Sequence, residues 1–227
     1  MPDAVPDQAA SSATPVPDSV RLQILATEHW SLLATRSMTW NEIFTRASMF
    51  LTTLSAAVVA LALIAQATDF GESFRIFALV VLPAVLVLGF GTLIRLGDAL
   101  TEDVWLVFGM NRLRHAYLEI APDLEPYFIT SHHDDVRGAM QTYGPDAGPR
   151  PSRILSATPT VVAVIDAMIV GVIVALLIGL ATEHRVVYVT FGVASAVITI
   201  ALLVGVLPYR QIARMRNEWT PAFPSDS

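Results

Sequence analysis

The densest set of side chains able to do chemistry is His132, His133, Asp134 and Asp135, two imidazoles followed directly by two carboxylates. All four are metal-ligand types, but two ligands on one helix share a face only at a spacing of three or four, and adjacent histidines diverge. A metal centre would need a further ligand from His115 or Glu119. Helix capping accounts for the same stretch without metal, with Ser131 placed as an N-cap and Asp134 at the third helical position. The second pointed residue is Asp166, the one charge in the apolar run 161–181. A carboxylate inside a membrane is costly unless paired or wet, so it reads as a proton or cation relay, as a gate, or as half of an ion pair. The pair is expected, with Arg95 or Arg46 at similar depth on neighbouring spans, because the spans hold no other acid or histidine to continue a relay.

Other chemistries are disfavoured. The chain has no Cys, which removes thiolate nucleophiles, disulfides and Cys-ligated metal. The stretch GFGT at 89–92 lies in an apolar run and has neither the strand nor the Lys of a phosphate loop. All fourteen basic residues are Arg and the net charge is −6, so the basic surface that nucleic acid requires is missing. Neither an enzyme nor a bound cofactor is expected.

What must position these residues is a set of membrane-spanning helices. Hydrophobic residues make up 54% of the 227 positions, and the mean hydropathy is +0.57, which places the chain with membrane proteins. The run 161–181 is long enough to cross about 30 Å of hydrocarbon at about 1.5 Å per residue. Its small residues Ala163, Ala167, Gly171, Ala175 and Gly179 form a row at spacing four, a surface on which another helix packs closely. The first span, 47–67, carries its own small row of Ser48, Thr52, Ala56 and Ala60 and is a natural partner; the fourth span is another, and self-association a third.

In chain order, residues 1–17 are rich in Pro, Ala and Ser and are expected to be a disordered tail. They lack the pattern of a secretory signal, so the first span itself is expected to direct insertion. Residues 18–46 read as an interfacial or cytosolic helix that either restarts at the TWNE capping pattern of 39–42 or runs on into the membrane. A hairpin at 47–95 follows, with Pro83 expected to kink its second helix. Residues 96–160 begin with an amphipathic continuation of that helix, ended by Pro122, whose apolar stripe calls for a partner in 18–46. A short helix is expected at 132–143. The second hairpin occupies 161–207, and 208–227 is a cytosolic tail with a basic helix at 211–217 and a frayed end. Twelve Arg lie before the first span, between the second and third, or after the fourth, against two in the short turns, which places both termini in the cytoplasm. QATDFGESFR and LATEHR, one in each hairpin turn, raise the prospect of duplication.

The stretches ATRSMTWNEIF, ASMFLTTLSAAVVALAL, NRLRHAYLEIAP, EPYF and SHHDD resemble those of an uncharacterised group of multi-pass membrane proteins from high-GC Gram-positive bacteria, over residues 28–207. The resemblance implies four spans and a plasma-membrane address, and brings no activity or site. The expected fold is all-α and integral to the membrane, with four transmembrane helices in two hairpins and cytosolic amphipathic extensions. The expected role is a non-enzymatic scaffold or sensor docking a cytosolic protein or small ligand. The alternative is an oligomeric pore or ion-translocating protein, such as a signal-gated effector.

Overall fold

The computed structural model describes residues 16–144, 157–206 and 219–225. The expectations for residues 1–15, for the loop at 145–156 and for the basic helix at 211–217 lie outside these. Among the described residues the chain is all-helical, with no strand. Helix α1 is Asp18–Thr68, α2 is Glu72–Ile120, α3 is Val136–Tyr143, α4 is Thr158–Ala181 and α5 is Arg185–Ile200, which continues as a π-helical turn, Ala201–Val206.

Four of these are long and apolar enough, by length and composition, to cross a membrane. The chain is a membrane protein on that ground. Helices α1 and α2 have 51 and 49 residues, about 75 Å each, so each projects well beyond a hydrocarbon core of about 30 Å. We refer to residues 18–46 and 96–143 as the projecting layer.

Helix α1 runs through Thr39 without restarting. TWNE therefore has no exposed N–H groups to cap; Thr39 is buried, Trp40 donates to Asp103, and Glu42 accepts from Arg46 and Arg95. The turn to α2 takes three residues, with Asp69 and Phe70 both at positive φ, 46° and 57°. The amide of Gly71 closes it on the Thr68 carbonyl at 2.8 Å. Pro83 lies inside α2 without ending it.

Helix α1 packs along α2, α4 along α5, and α2 also against α4. One core joins Ile43, Phe50 and Ala57 of α1 to Leu82, Val85 and Leu96 of α2 and Val162 and Ile169 of α4. A second, in the projecting layer, gathers Val107, Phe108, Met110 and Ala139, with Leu32, Trp105 and Trp219 against it.

Candidate functional site

Within the projecting layer α1 and α2 are tied by one buried carboxylate. Asp103, 2% exposed, accepts from Arg36 Nε at 2.6 Å and Nη2 at 3.2 Å, from Trp40 Nε1 at 2.8 Å and from the Tyr143 hydroxyl at 2.6 Å. Burial pushes this carboxyl up, but the donors from Arg36, Tyr143 and Trp40 outweigh it and hold Asp103 below its ordinary range. Burial and the neighbouring Asp103 raise the Tyr143 hydroxyl well above the ordinary tyrosine value, keeping it a donor. His29 of α1 stacks on Tyr117 of α2 at 5.9 Å.

The His132–Asp135 cluster does something sequence reasoning missed. The expected N-cap at Ser131 is not formed; Ser131 Oγ accepts from the His133 amide, and α3 begins at Val136 with Asp135 as its cap, accepting from the Gly138 amide at 2.6 Å. Gly138 permits this path: it has no Cβ, and the His133 carbonyl lies where one would be, against the first turn of α3. Asp134, fully buried, turns to the C-terminal tail. Its carboxylate accepts from the amides of Ala222 at 3.0 Å and Phe223 at 2.8 Å, and from Arg112 Nε at 2.8 Å. Its own amide donates to the Phe223 carbonyl, and its carbonyl accepts from Trp219 Nε1 at 2.6 Å. Asp135 accepts from both the amide (2.8 Å) and the hydroxyl (2.5 Å) of Ser225.

Aromatic packing completes the seat. The Trp219 ring stacks on Phe108 at 4.9 Å, meets Trp105 edge-on at 4.8 Å and lies under the Arg112 guanidinium at 4.7 Å. Phe223 stacks on His115 at 3.8 Å. The expectation that residues 221–227 fray is thus corrected for 221–225. Backbone amides are donors in every sequence, so the acceptors Asp134 and Asp135 gave no advance sign of where they would bind; the one signal was the isolated Trp219 and Phe223, spaced by four in a polar tail.

For metal, the four cluster residues divide: the aspartates hold the tail and the α3 cap, while the His132 ring lies tilted against His133 at 4.3 Å and His115 at 5.9 Å. Glu119 sits 3.9 Å from His115. Among the described residues no group of three or more His, Asp or Glu is placed to hold a metal ion. The buried Nδ1 atoms of His115 and His133 have no hydrogen-bond partner among the described residues.

The docked tail is expected to respond to acid. Burial pushes Asp134 up, and the Ala222 and Phe223 amides with Arg112 more than reverse this, leaving the carboxyl below its ordinary range. A depressed value in the docked state means that this contribution to docking is complete above about pH 4 and is lost as pH falls through the lower, docked value. Asp134→Ala should weaken tail docking by about 3 kcal/mol at neutral pH, since it removes a charged acceptor from several donors at once. Hydrogen exchange at the Ala222 and Phe223 amides checks both: unchanged protection of these amides in the variant would refute the assignment.

The expected pair of Asp166 with Arg95 or Arg46 is not formed. Arg95 is engaged by Glu42 at 2.9 Å and Glu102 at 2.8 Å, and Arg46 by Glu42 at 2.8 Å, one turn away on its own helix. These acids bond the two guanidinium groups directly, and with the spans expected at 47–67 and 74–94 they lie outside the hydrocarbon, where ion pairing is less costly. Asp166 is fully buried against α2, in the notch left by Gly89, where any Cβ would overlap its carboxylate. No donor among the described residues reaches either of its oxygens.

The small row of α4 is divided between two neighbours. Ala163 and Ala167 are buried, the first in the core shared with α2. Gly171 and Ala175 receive α5: a Cβ on Gly171 would lie 2.8 Å from the Gly192 carbonyl oxygen, and one on Gly192 would lie 2.9 Å from Ala175 Cβ. Gly179 lies beside the Tyr188 ring. The partner is therefore the fourth span and not the first, whose Ser48, Thr52 and Ala56 remain exposed.

No family model, curated protein or solved structure matches the chain, so its function is argued from this geometry.

Proposed function

We propose that the chain is a non-enzymatic scaffold or sensor of the plasma membrane, with four spans in two hairpins and both termini in the cytoplasm. Its cytosolic projecting layer docks a protein segment in the seat now filled by its own tail. The observation that carries this reading is the hold on residues 219–225, made by two aromatic anchors and by main-chain hydrogen bonds to Asp134 and Asp135. Main-chain recognition with two side-chain pockets is how grooves bind short peptides, and a segment bound in cis competes with one offered in trans. The partner that fits carries two aromatic residues four apart, with free backbone amides at the second aromatic, one position before it and two positions after it. The Arg distribution supports the cytoplasmic side.

The test uses protein ending before Trp219, held in nanodiscs, and a fluorescent peptide of residues 217–227. Saturable binding, weakened at least tenfold by Asp134→Ala, is expected. Photo-crosslinking from position 105 in cells should give an adduct in the truncated protein that the full chain lacks. If the peptide binds but truncation exposes no adduct, the seat only fastens the tail and the docking reading fails.

A second reading, an oligomeric pore or ion-translocating protein, draws on Asp166, a fully buried carboxyl with no partner among the described residues inside a candidate span. Proton or cation flux into liposomes that falls at least tenfold in Asp166→Asn is the expected result on that reading. Flux that is absent, or equal in the two proteins, removes it.

A further inference from the structure

Helix α1 has two faces, and the described residues pack against one of them. Ile43, Phe50 and Ala57 bury one side in the core shared with α2. On the opposite side, positions taken alternately four and three residues apart from Val20 to Ala62 are all exposed, and none is charged. That alternation is the seam of a left-handed helix pair, in which side chains of two helices interlock.

The seam changes character along its length. From Thr45 to Ser55 it holds Thr45, Ser48, Thr52 and Ser55, three of which bond their hydroxyls back to their own helix at 2.8 Å, leaving a flat surface that a second backbone can approach. The exposed faces of other spans mix small residues, such as Ala84 and Gly91 of α2, with large ones, such as Val87 of α2 and Met168 of α4. Toward the N-terminus the same seam carries Ile24, 61% exposed, and Met38, 72% exposed, with Trp30 beside it at 71%. Lipid accounts for the exposure of Thr45 and beyond, but not for apolar side chains some 10–30 Å outside the hydrocarbon. A soluble protein could cover Ile24 and Met38 but could not follow the seam into the bilayer.

We propose that the occupant is a second copy of this chain, packed α1 to α1 in parallel about a twofold axis along the membrane normal. Only a helix that crosses the boundary at the same height, with the same change from apolar to hydroxyl residues, matches the seam throughout, and a parallel twofold supplies this by symmetry. It sets Asn41 opposite its own counterpart at the boundary, where paired amides fix register. The face is roughly 60 Å long and roughly 10–12 Å across, which covers about 700 Å² per partner, close to the about 800 Å² of a stable interface.

Because the chain has no Cys, single cysteines placed in the full-length protein in native membranes read the seam directly. Ile24→Cys, Met38→Cys and Ser48→Cys should each give a disulfide-linked dimer, whereas Val87→Cys and Val172→Cys should not. Ser48→Phe with Thr52→Phe should convert a dimer to a monomer by native mass spectrometry in nanodiscs, with helical content unchanged because both side chains point away from the fold. Cross-links at Ser48 without those at Ile24 and Met38, equal cross-linking at Val87, or a monomeric mass for the parent chain would each overturn the proposal.

Discussion

Asp103→Ala is expected to lower the stability of the projecting layer by about 3–5 kcal/mol, the range found when one side of a buried ion pair is removed. The effect is large because three donors lose their acceptor together. Arg36 keeps its charge in a half-buried place, and the Trp40 N–H and the Tyr143 hydroxyl each lose their acceptor. Asp103→Asn should recover part of the loss, since an amide oxygen still accepts but carries no charge for Arg36. Asp98→Ala, at an exposed position five residues earlier on α2, should change stability by less than about 0.5 kcal/mol. Thermal unfolding in detergent, with hydrogen exchange along 30–40 and 100–110, separates the cases. Equal melting of the Asp103 and Asp98 variants would show that the carboxylate does not bind the layer together.

The second large effect is expected at Gly192. A Cβ there meets the Gly171 carbonyl oxygen at 2.8 Å, and that oxygen belongs to the backbone, so relief requires the two helices to move apart. Gly192→Val should cost at least 1–3 kcal/mol, the usual range for overpacking, and should loosen α5 from α4. Gly91→Ala is the counter-case: nothing lies within 4 Å of its Cβ position, and replacing a mid-helix glycine there should stabilise α2 by up to about 1 kcal/mol. The two substitutions should therefore shift the melting temperature in opposite directions. A shift of the same sign in both would mean that helix propensity, and not close approach, governs Gly192.

The legible part of this fold was the part governed by local rules. Length and apolarity marked the four long helices, and the small row of α4 marked a close helix contact. Which helix made that contact was not local information: Gly192, a single glycine in an apolar run, gave no stronger sign than the Ser48 to Ala60 row, yet it faces Gly171 together with Ala196. Asp166 misled for a related reason. Its depth suggested Arg95, but Glu42 and Glu102 were closer competitors, a matter of rotation about α2 that residue spacing alone left open. The tail was the least legible, because its hydrogen bonds join residues 85 to 90 positions apart and use backbone donors that every sequence has. The capping patterns at Thr39 and Ser131 were real patterns in the wrong context, one inside a continuous helix and the other ahead of the true cap at Asp135.

The unbroken passage of α1 from Asp18 to Thr68 has a mechanical consequence. A rod that is held in the bilayer over one half and stands free of it over the other behaves as a lever, with its fulcrum at the headgroups. Stretching or thinning the bilayer changes the tilt of the embedded half, and the free half must swing with it. A few degrees at the fulcrum become several ångströms at the far end. The Arg36 to Asp103 ion pair ties α2 to α1, so with the proposed membrane placement α2 is expected to swing in step and carry a change of bilayer thickness to the surface on which the tail rests.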